Sequence, residues 1–521
     1  MRITNKMMTN NMLHNINTNK NNMSNLENKY ASGMEIQKPS DDPIVAVRAL
    51  KLRSNLSELN QYYQKNIPDA MSWMEVTENS LKNTSEIITQ IHTYCDQGAN
   101  DTLTVSERDS IVQNLLELKN QIYQEGNANY AGRYLFTGFK TNTGLIFDKQ
   151  ERNLQYTITE EIEASEIDIS DRIVDSLKIE DYDTAAELDA LTDTNTLSRP
   201  SSNTIFRIRL SYDNISDIGS LSVKKPRLDP ISGIQLTDSD GKKLYDDVTT
   251  IPKSGMTIKN SNDPDAYKPN DNEIIFLQDT GEIILGKDNY DAWRNYKFEV
   301  TYDKNSFEKN ELRPEHYFNC TAQDLTITDP AERAAKAVTY TVEDQEIKYE
   351  VNFNQTIAIN VQGRDAFRHS LGRSIDDIVK SISDVNAVKE KIAKVDKMLN
   401  DTSLTEAQKA KLQDINKILK SELELKDSMM RQAYGRGLTA MDSEEDAVNA
   451  ATSDIGTRYN RLELTEDRLA MQQVEFTDLL SQNEDADLVD TIVNYNSANT
   501  VYNASLQAAG KVVKTTLLDF L

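Results

Sequence analysis

The four histidines, His14, His92, His316 and His369, are the first residues to test for catalytic or metal-binding chemistry. A zinc protease carries a His-Glu-x-x-His motif, because this spacing puts both rings on one helix face. No such motif occurs here, and the sequence also lacks a phosphate-binding glycine-rich loop and a Gly-x-Ser-x-Gly elbow. We therefore expect a protein that is not an enzyme and has no metal or cofactor. Catalysis by carboxylates, which needs no fixed spacing, is the one chemistry left open.

Two aspartate clusters, Asp238-Ser239-Asp240 and Asp263-Pro264-Asp265, offer the oxygen ligands that calcium prefers. Neither has the full ligand spacing of a calcium-binding loop, so we interpret both as solvated loops. The two cysteines, Cys95 and Cys320, lie far apart and do not form the pattern of a disulfide framework. The fold should therefore not depend on an oxidising compartment.

The charge of the chain narrows the class of protein further. Its 521 residues carry a formal net charge of -26, which disfavours binding to nucleic acid and to an anionic membrane surface. The sequence has no run of eighteen apolar residues and no signal-peptide pattern, so we expect neither a membrane protein nor a Sec substrate. Residues 1–26 include Arg2, Lys6 and Lys20 but no acidic residue, which indicates a separate use for this segment.

The elements that would position any site include helices at both ends of the chain. From Leu488 to Leu521, one residue every three or four positions falls on one helix face, which is a heptad seam. Its members are Leu488, Ile492, Tyr495, Asn499, Tyr502, Leu506, Ala509, Val513, Thr516 and Phe520. The same spacing near the other end joins Met12, Ile16, Asn19, Met23, Leu26 and Tyr30. Each seam needs a partner helix.

The two seams can pair with each other. One asparagine lies in each seam, and a polar residue at such a position commonly fixes the register. If the helices run antiparallel with Asn19 opposite Asn499, Met12 lies opposite Leu506 and the other seam residues pair in the same register. The alternative is that the two amphipathic helices are unrelated and pack on different surfaces.

The paired ends alone bury too little apolar surface to offset the entropy of ordering both helices. We therefore predict that they are disordered in the monomer and fold when neighbouring subunits cover their outer faces. A second stripe on the C-terminal helix should then face the next subunit, and it consists of Val489, Val493, Val501, Ala504, Ala508 and Val512.

Further helices flank the middle of the chain. In the joint Ser40-Asp41-Asp42-Pro43, Asp42 is a good N-cap and Pro43 suits a first helical turn, so a helix should start here and bend at Pro68. Thr104, three residues before Glu107, predicts a capping box. Helix returns near Phe367, with breaks expected at 400–403 and around Gly435-Arg436-Gly437 and an acidic joint at 481–487.

The stretch from Gly126 to about Asp365 has the pattern of a β-rich domain, either a sandwich or a barrel. The strand-like runs are 134–136, 204–212, 273–277, 282–285, 296–302, 339–342 and 346–353. Asp279-Thr280-Gly281 predicts a hairpin loop, and Asp240-Gly241 predicts another turn.

The predicted fold class is α+β and multidomain, with nested, coiled-coil-like N- and C-terminal long helices and an inserted β-rich middle domain. Residues 1–42 with 483–521 would form paired terminal helices, 43–140 with 366–482 a helical rod domain, and 141–365 the β-rich domain.

Several motifs together resemble one known family. They are Met1-Arg2-Ile3-Thr4, Pro39-Ser40-Asp41-Asp42-Pro43, Ala131-Gly132-Arg133-Tyr134-Leu135-Phe136-Thr137-Gly138, Ile455-Gly456-Thr457-Arg458-Tyr459-Asn460-Arg461-Leu462-Glu463, and the end from Asp485 to Leu521. This set resembles the bacterial flagellar hook-filament junction proteins, hook-associated protein 3, within the flagellin superfamily. The resemblance covers residues 1–141 and 367–521, and the middle domain carries no motif of the family.

The resemblance implies a structural adaptor of the flagellum that joins hook to filament. It would be exported unfolded by the type III apparatus without signal cleavage and would assemble as a ring outside the cell. Its partners would be further copies of itself, the other hook-associated junction protein, flagellin and an export chaperone that binds the C-terminal helix. The acid-free N-terminal segment would be the export signal, and the β domain would project outward.

Three alternatives stay open. Flagellin itself shares the terminal helices, but flagellins typically follow the aspartate pair with Ala-Ala-Gly, whereas Pro43 follows it here. The end, Thr516-Leu517-Leu518-Asp519-Phe520-Leu521, is also unlike a flagellin end. A flagellin with an enzymatic insertion is disfavoured by the missing zinc motif. A secreted adhesin or glycan-binding protein would act through the middle domain, and binding loops have no required spacing.

Overall fold

The computed structural model describes residues 5–99, 103–230, 234–238, 241 and 243–518. Long helices form both ends of the chain and β-strands dominate the middle, so the predicted α+β class is confirmed. The helices are α1 (Asn5–Ser32), α2 (Pro43–Gln61), α3 (Ile67–Gly98), α4 (Val105–Glu125), α5 (Ala185–Ala190), α6 (Lys287–Trp293), α7 (Pro330–Ala335), α8 (Gly363–Ala366), α9 (His369–Leu399), α10 (Glu406–Glu484) and α11 (Leu488–Leu518).

The strands are β1 (Asn129–Tyr130), β2 (Arg133–Tyr134), β3 (Leu154–Ile162), β4 (Asp168–Val174), β5 (Ser201–Arg209), β6 (Asp217–Pro226), β7 (Tyr245–Pro252), β8 (Thr257–Lys259), β9 (Ile274–Leu277), β10 (Glu282–Leu285), β11 (Lys297–Lys304), β12 (Asn319–Asp324), β13 (Val338–Tyr340), β14 (Lys348–Asn352) and β15 (Gln355–Ala358). The chain divides into two compact units. Unit 1 comprises Met1–Met71, Lys348–Ile357 and Tyr459–Leu521, and unit 2 comprises Ser72–Ile347 and Ala358–Arg458. The predicted division into three domains stays a prediction.

Two β-sheets pack face to face in unit 2. In the described residues one sheet has the strand order β4-β5-β10-β9-β8 and the other β13-β12-β3-β11-β6-β7, with antiparallel pairing throughout except between β8 and β9. Side chains of both sheets, among them Ile208 and Phe276 from the first and Ile158 and Phe298 from the second, share one hydrophobic core. The middle domain is therefore built as a sandwich.

The strands β9 and β10 are buried on both faces, because a second apolar cluster that includes Ile205 and Ala266 covers the other side of their sheet. The hairpin between them has the predicted loop, and Gly281 has a φ of +64° there. A Cβ at this position would lie 2.0 Å from the carbonyl oxygen of Tyr212, so both the turn and the close approach require glycine. In the second predicted turn, Asp240 lies outside the described residues.

The helix α10 continues for 79 residues through the segment where we expected a break at Gly435-Arg436-Gly437. That expectation was wrong, because Gly437 allows close packing of two helices and does not end the helix. A Cβ on Gly437 would lie 2.5 Å from Cδ1 of Ile378 on α9, so the missing side chain lets the two helices approach closely. The expected break near residues 400–403 is present between α9 and α10.

A buried ionic cluster joins the first sheet to α9. Arg207 on β5 lies 2.5 Å from a carboxylate oxygen of Asp168, 2.5 Å from one of Glu282 and 2.9 Å from one of Asp377 on α9. Burial alone would raise the pKa of Asp377, but Arg207 and Arg209 hold it well below its usual range. The carboxylate is therefore charged at neutral pH and fixes α9 against the sheet.

Candidate assembly interface

The helices α1 and α11 pair in unit 1 and run antiparallel. Two contacts establish the direction: the side-chain amide of Asn19 donates to the hydroxyl of Ser505 at 2.9 Å, and Met34 forms an antiparallel bridge with Asp485. The predicted partnership of the two end helices is therefore present.

The segments that follow α1 and precede α11 bind each other through their backbones. The N–H of Ala486 donates to the carbonyl of Gly33 at 2.9 Å, and the N–H of Glu35 donates to the carbonyl of Glu484 at 2.7 Å. Gly33 ends α1 with a φ of +70°, a conformation that few residues other than glycine adopt. These backbone hydrogen bonds hold the end of α1 beside the start of α11.

The predicted seam on α1 is the face that contacts α11. Met12, Ile16, Asn19, Met23 and Leu26 are the half-buried positions at this spacing. Tyr30 is exposed, and the aliphatic chain of Lys29 takes the corresponding place on the helix. The face therefore shifts by one residue in the last turn before Gly33.

The face of α11 that contacts α1 coincides with the predicted seam only in part. Tyr495, Asn499, Tyr502 and Ala509 are half-buried, but Leu488, Ile492 and Leu506 are 40 to 47% exposed. Beside the seam, Thr491 is buried and Ala498 and Ser505 are half-buried. The side chain of Val513 and the whole of Phe520 lie outside the described residues.

The predicted register of Asn19 opposite Asn499 is wrong. Ser505, the actual partner of Asn19, lies six residues further along α11, or about 9 Å. Small side chains at Ala498, Ser505 and Ala509 form a smooth face against which α1 can lie, whereas the heptad argument gave preference to the larger apolar residues. Leu488, Ile492 and Leu506 stay on the outside of the pair.

The pair has almost no core of its own. Among residues 6–32 of α1 none is fully buried, and among residues 488–511 of α11 only Thr491 is. Side chains of Met7, Met8, Leu13, Val489, Val493 and Val501 are exposed instead. Apolar surface of this kind on several sides of a helix pair is typical of a surface that a protein partner covers.

Two further exposed apolar stripes in unit 1 escaped the sequence analysis. On α2, Ile44, Val47 and Leu50 are 62 to 74% exposed at a spacing of three residues. On the C-terminal third of α10, Leu464, Met471 and Val474 are exposed to a similar degree. The sequence signal for each stripe was a second set of apolar residues at helical spacing, next to the buried face of the same helix.

The joint before α2 forms the predicted cap. A carboxylate oxygen of Asp42 accepts hydrogen bonds from the N–H groups of Ile44 and Val45 at 2.9 and 3.2 Å, with Pro43 in the first turn. Asp41 accepts from the N–H groups of Gln37 and Lys38. Ser40 is exposed in the turn between these two aspartate-bound segments.

The helices α2 and α10 are tied together beside this joint. Arg53 forms an ion pair with Glu484 at 2.6 Å, and the side chain of Asn483 donates to the carbonyl of Val45 at 3.2 Å. The backbone carbonyl of Glu484 also accepts the hydrogen bond from the N–H of Glu35. One helix end therefore anchors both α2 and the chain that leaves α1.

A π-helical turn, Tyr62–Asn66, precedes the proline at which a bend was predicted. The wider turn makes room for the ring of Pro68. The hairpin β14–β15 packs on this turn: Phe353 contacts the ring of Tyr62 edge-on at 5.6 Å, and Asn66 donates to the carbonyl of Glu350 at 2.8 Å. The hairpin thus stiffens the wide turn.

The described part of the chain contains no group of three or more His, Cys, Asp and Glu side chains that could hold a metal ion. Within the same residues no helix is long and apolar enough to cross a membrane. The arrangement in unit 1 offers contact surface for proteins.

Two family models match the ends of the chain. The model of the bacterial flagellin N-terminal helical region matches residues 3–141, and that of the bacterial flagellin C-terminal helical region matches residues 438–521. The ends of this chain are therefore similar to the helical regions of bacterial flagellins, as the sequence motifs predicted.

Within that class, one relative is the flagellar hook-associated protein 3 of Escherichia coli, 26% identical over 156 residues that make up 29% of this chain and 49% of the relative. Another is the flagellin of Clostridium tyrobutyricum, 32% identical over 127 residues, or 24% of this chain and 33% of the relative. The chain thus spans between a third and a half of the length of these relatives.

Solved structures of similar chains include two from Legionella pneumophila. Flagellar hook-associated protein 3 is 11% identical with a TM-score of 0.28, covering 83% of this chain and 98% of its own. The flagellar junction protein is 13% identical with a TM-score of 0.26, covering 80% and 99%. These TM-scores are too low to establish a common arrangement.

Proposed function

We propose that this protein is a structural adaptor of the bacterial flagellum that joins the hook to the filament and assembles as a ring through its terminal helices. One observation carries the proposal: α1 and α11 pair with each other, yet among their described residues Thr491 alone is fully buried. The flagellin-type ends and the similarity to hook-associated protein 3 name the assembly in which such a pair would be completed.

The exposed stripes on α1, α2, α10 and α11 give the proposed interface its surface. Each stripe repeats at helical spacing, so a neighbouring helix can pack along it. Copies of this chain would bring the same stripes to each contact, as in a closed ring of identical subunits. The outer stripe of Val489, Val493 and Val501 is the part of α11 that we assign to the next subunit.

The proposal includes the partners implied by the family resemblance. The other hook-associated junction protein would contact one edge of the ring and flagellin the other, while an export chaperone would cover α11 before assembly. We further propose extracellular assembly after type III export without signal cleavage. The terminal helices would become fully ordered only when neighbouring subunits cover them.

A second candidate function is that of a filament subunit. The 32% identity to the flagellin of Clostridium tyrobutyricum favours it, because this match is higher in identity than that to the hook-associated protein. Both functions need the same assembly surface, so its geometry does not separate them.

Deletion of the gene in the source bacterium separates the two functions. Loss of a junction protein should leave hooks without filaments while monomeric flagellin is shed into the medium. Loss of a filament subunit should remove this chain from purified filaments without shedding of another flagellin. Filaments of normal length in the deletion strain would refute the junction function.

A further inference from the structure

A cavity of about 460 Å³ lies in unit 2 between the first β-sheet and the helices α9 and α10. Arginines from three elements line it: Arg207 and Arg209 from β5, Arg373 and the preceding Arg368 from the start of α9, and Arg436 from α10. Five carboxylates line the same cavity, so the pairing of each arginine decides whether the site can take a further negative group.

Two buried guanidinium donors at this cavity lack an acceptor. The Nε atoms of Arg209 and Arg373 are buried and have no hydrogen-bond partner among the described residues. Buried N–H groups of this kind normally have a partner, which a ligand or water would supply. The exposed Arg368 and the half-buried Arg436 also form no side-chain ion pair or hydrogen bond within that same part of the chain.

The carboxylates at the cavity are already engaged. Asp377 binds Arg207 and Arg209, and Asp168 binds Arg207. Glu160 accepts hydrogen bonds from Ser211 and from the hydroxyl of Tyr302 at 2.8 Å. Glu161 pairs with Lys297, and Glu166 accepts a hydrogen bond from the N–H of Glu163. The carboxylates that line the cavity are therefore taken up by other groups, and the Nε atoms of Arg209 and Arg373 stay without an acceptor.

The pKa of Arg209 reflects the positive charge of the neighbouring arginine. Burial and the neighbouring Arg373 lower the pKa of Arg209 to about 10, against the opposing effect of Asp377. A negative group placed between the two guanidinium groups would remove the repulsion between them.

The cavity also adjoins the start of α9. Its N-cap residue, Arg368, supplies no side-chain hydrogen bond to the first turn, so the N–H groups there are free to bind an anion. The hydroxyl of Ser374 on the same wall already donates to the carbonyl of Ser370 at 2.8 Å. Planar guanidinium groups and helix N–H groups are donors that bind phosphate, sulfate and carboxylate.

We propose that this cavity binds the oxyanion group of a small molecule, held by Arg209, Arg373 and Arg436. The volume exceeds that needed for a free phosphate ion and falls in the range of sites for small organic ligands. An acidic sugar and free phosphate or sulfate share this chemistry, and the experiment separates them.

The experiment titrates the full-length chain with inorganic phosphate, sodium sulfate and glucuronic acid by isothermal calorimetry, with sodium chloride at equal ionic strength as reference. Arg436→Gln and Arg368→Gln are the test variants, because neither side chain has a partner within the described residues and the fold should tolerate both. Each lost charged donor should weaken binding about tenfold. Arg227→Gln, which removes an arginine paired with Asp246 on the exposed surface, is the matched control and should bind as the wild type does.

Binding of glucuronic acid alone would identify an acidic sugar as the ligand class, and binding of phosphate or sulfate alone would identify a free ion. Both results support the site if Arg436→Gln weakens them. No heat beyond that of sodium chloride for any probe would overturn the proposal, as would equal affinity of Arg436→Gln and the wild type. The first result would show a cavity filled with water only, and the second would show that the probe binds at another place.

Discussion

The side-chain amide of Asn19 donates a hydrogen bond to the hydroxyl of Ser505 at 2.9 Å, and this contact sets the register of α1 against α11. A polar contact inside an otherwise apolar helix pair disfavours other registers, since a shift would leave the amide without its acceptor. The register in turn decides which apolar residues of α11 remain outside the pair.

A cysteine pair tests this register. Asn19→Cys with Ser505→Cys should form a disulfide rapidly under mild oxidation, because these positions are in hydrogen-bond contact. Asn19→Cys with Asn499→Cys should not, since its second position lies about 9 Å away along the helix, beyond the reach of a disulfide. Non-reducing gel electrophoresis measures both rates.

The native cysteines should not interfere with that measurement. Burial raises the pKa of Cys95 and of Cys320 to about 12, so both thiols stay protonated and unreactive. Faster crosslinking of the 19–499 pair than of the 19–505 pair would contradict the register seen here.

Charged substitutions on the outside of α11 should block assembly and spare the monomer. Ile492→Asp and Leu506→Asp place a carboxylate on surface that is 40 and 43% exposed in the single chain, so the melting temperature of the monomer should change little. In an assembled interface the same carboxylate would be desolvated at a cost of several kcal/mol. Analytical ultracentrifugation follows assembly, and circular dichroism follows melting.

Val338→Asp is the matched control, because it introduces the same charge at an exposed valine of β13 in unit 2. It should assemble normally. A monomer that melts as a result of Ile492→Asp or Leu506→Asp would show that these residues serve the fold of the single chain.

Loss of the cap at Asp42 should weaken the first turn of α2. Asp42→Ala removes the acceptor for the N–H groups of Ile44 and Val45 and should cost about 1 kcal/mol. Native-state amide exchange should therefore be faster at Ile44 and Val45. Asp42→Ser keeps an acceptor at the cap and should restore most of the protection, and equal exchange in both variants would exclude a capping function.

Removal of Asp377 should strongly destabilise unit 2. Asp377→Asn leaves the buried guanidinium groups of Arg207 and Arg209 short of their shared carboxylate, at a cost of about 3 to 5 kcal/mol. Urea unfolding measures the loss. Asp384→Asn on the same helix breaks only an exposed pair with Lys380 and should cost less than about 0.5 kcal/mol; a similar loss in both variants would contradict the importance of the cluster.

Acid should destabilise unit 2 through two buried histidines. Burial lowers the pKa of His369 to about 3 and that of His316 to about 4. An unfolded histidine has a pKa of about 6.5, so below this pH the unfolded state binds protons that the folded state excludes. Stability is therefore fully present above the unfolded value and should fall as the pH decreases toward 4.

Urea unfolding followed by the fluorescence of the buried Trp73 measures this dependence between about pH 7 and pH 5. His369→Gln should make the free energy of unfolding less sensitive to pH, whereas His92→Gln, at an exposed position, should leave the dependence unchanged. The same slope in all three proteins would refute the assignment to His369.

The helical ends were predictable because their signals are local. The capping box of Thr104 and Glu107 and the N-cap of Asp42 are present as predicted, since each depends on residues within one turn. The contact face of α11 was predicted only in part. Heptad spacing locates a stripe but does not tell whether large residues such as Leu506 or small ones such as Ser505 face the partner, and that choice depends on the other helix.

The sandwich was harder to predict. The strands β1, β3, β4, β6, β7, β8, β12 and β15 were not among the predicted runs. On β3 the buried Glu160 interrupts the apolar alternation of Tyr156, Ile158 and Ile162. The ionic cluster around Arg207 was also not predictable. Its members come from three strands and from α9, and only the packing of the sheet on that helix brings them together.

The bond between Asn19 and Ser505 joins residues that are 486 positions apart in the chain. Contacts of such sequence separation carry a large loop-closure entropy and form late, after local structure is in place. A chain that emerges N-terminus first cannot make this contact until its last residues are free. The pairing of α1 with α11 therefore cannot form before the last residues of the chain have emerged. The surface that depends on this pair is completed only at that point.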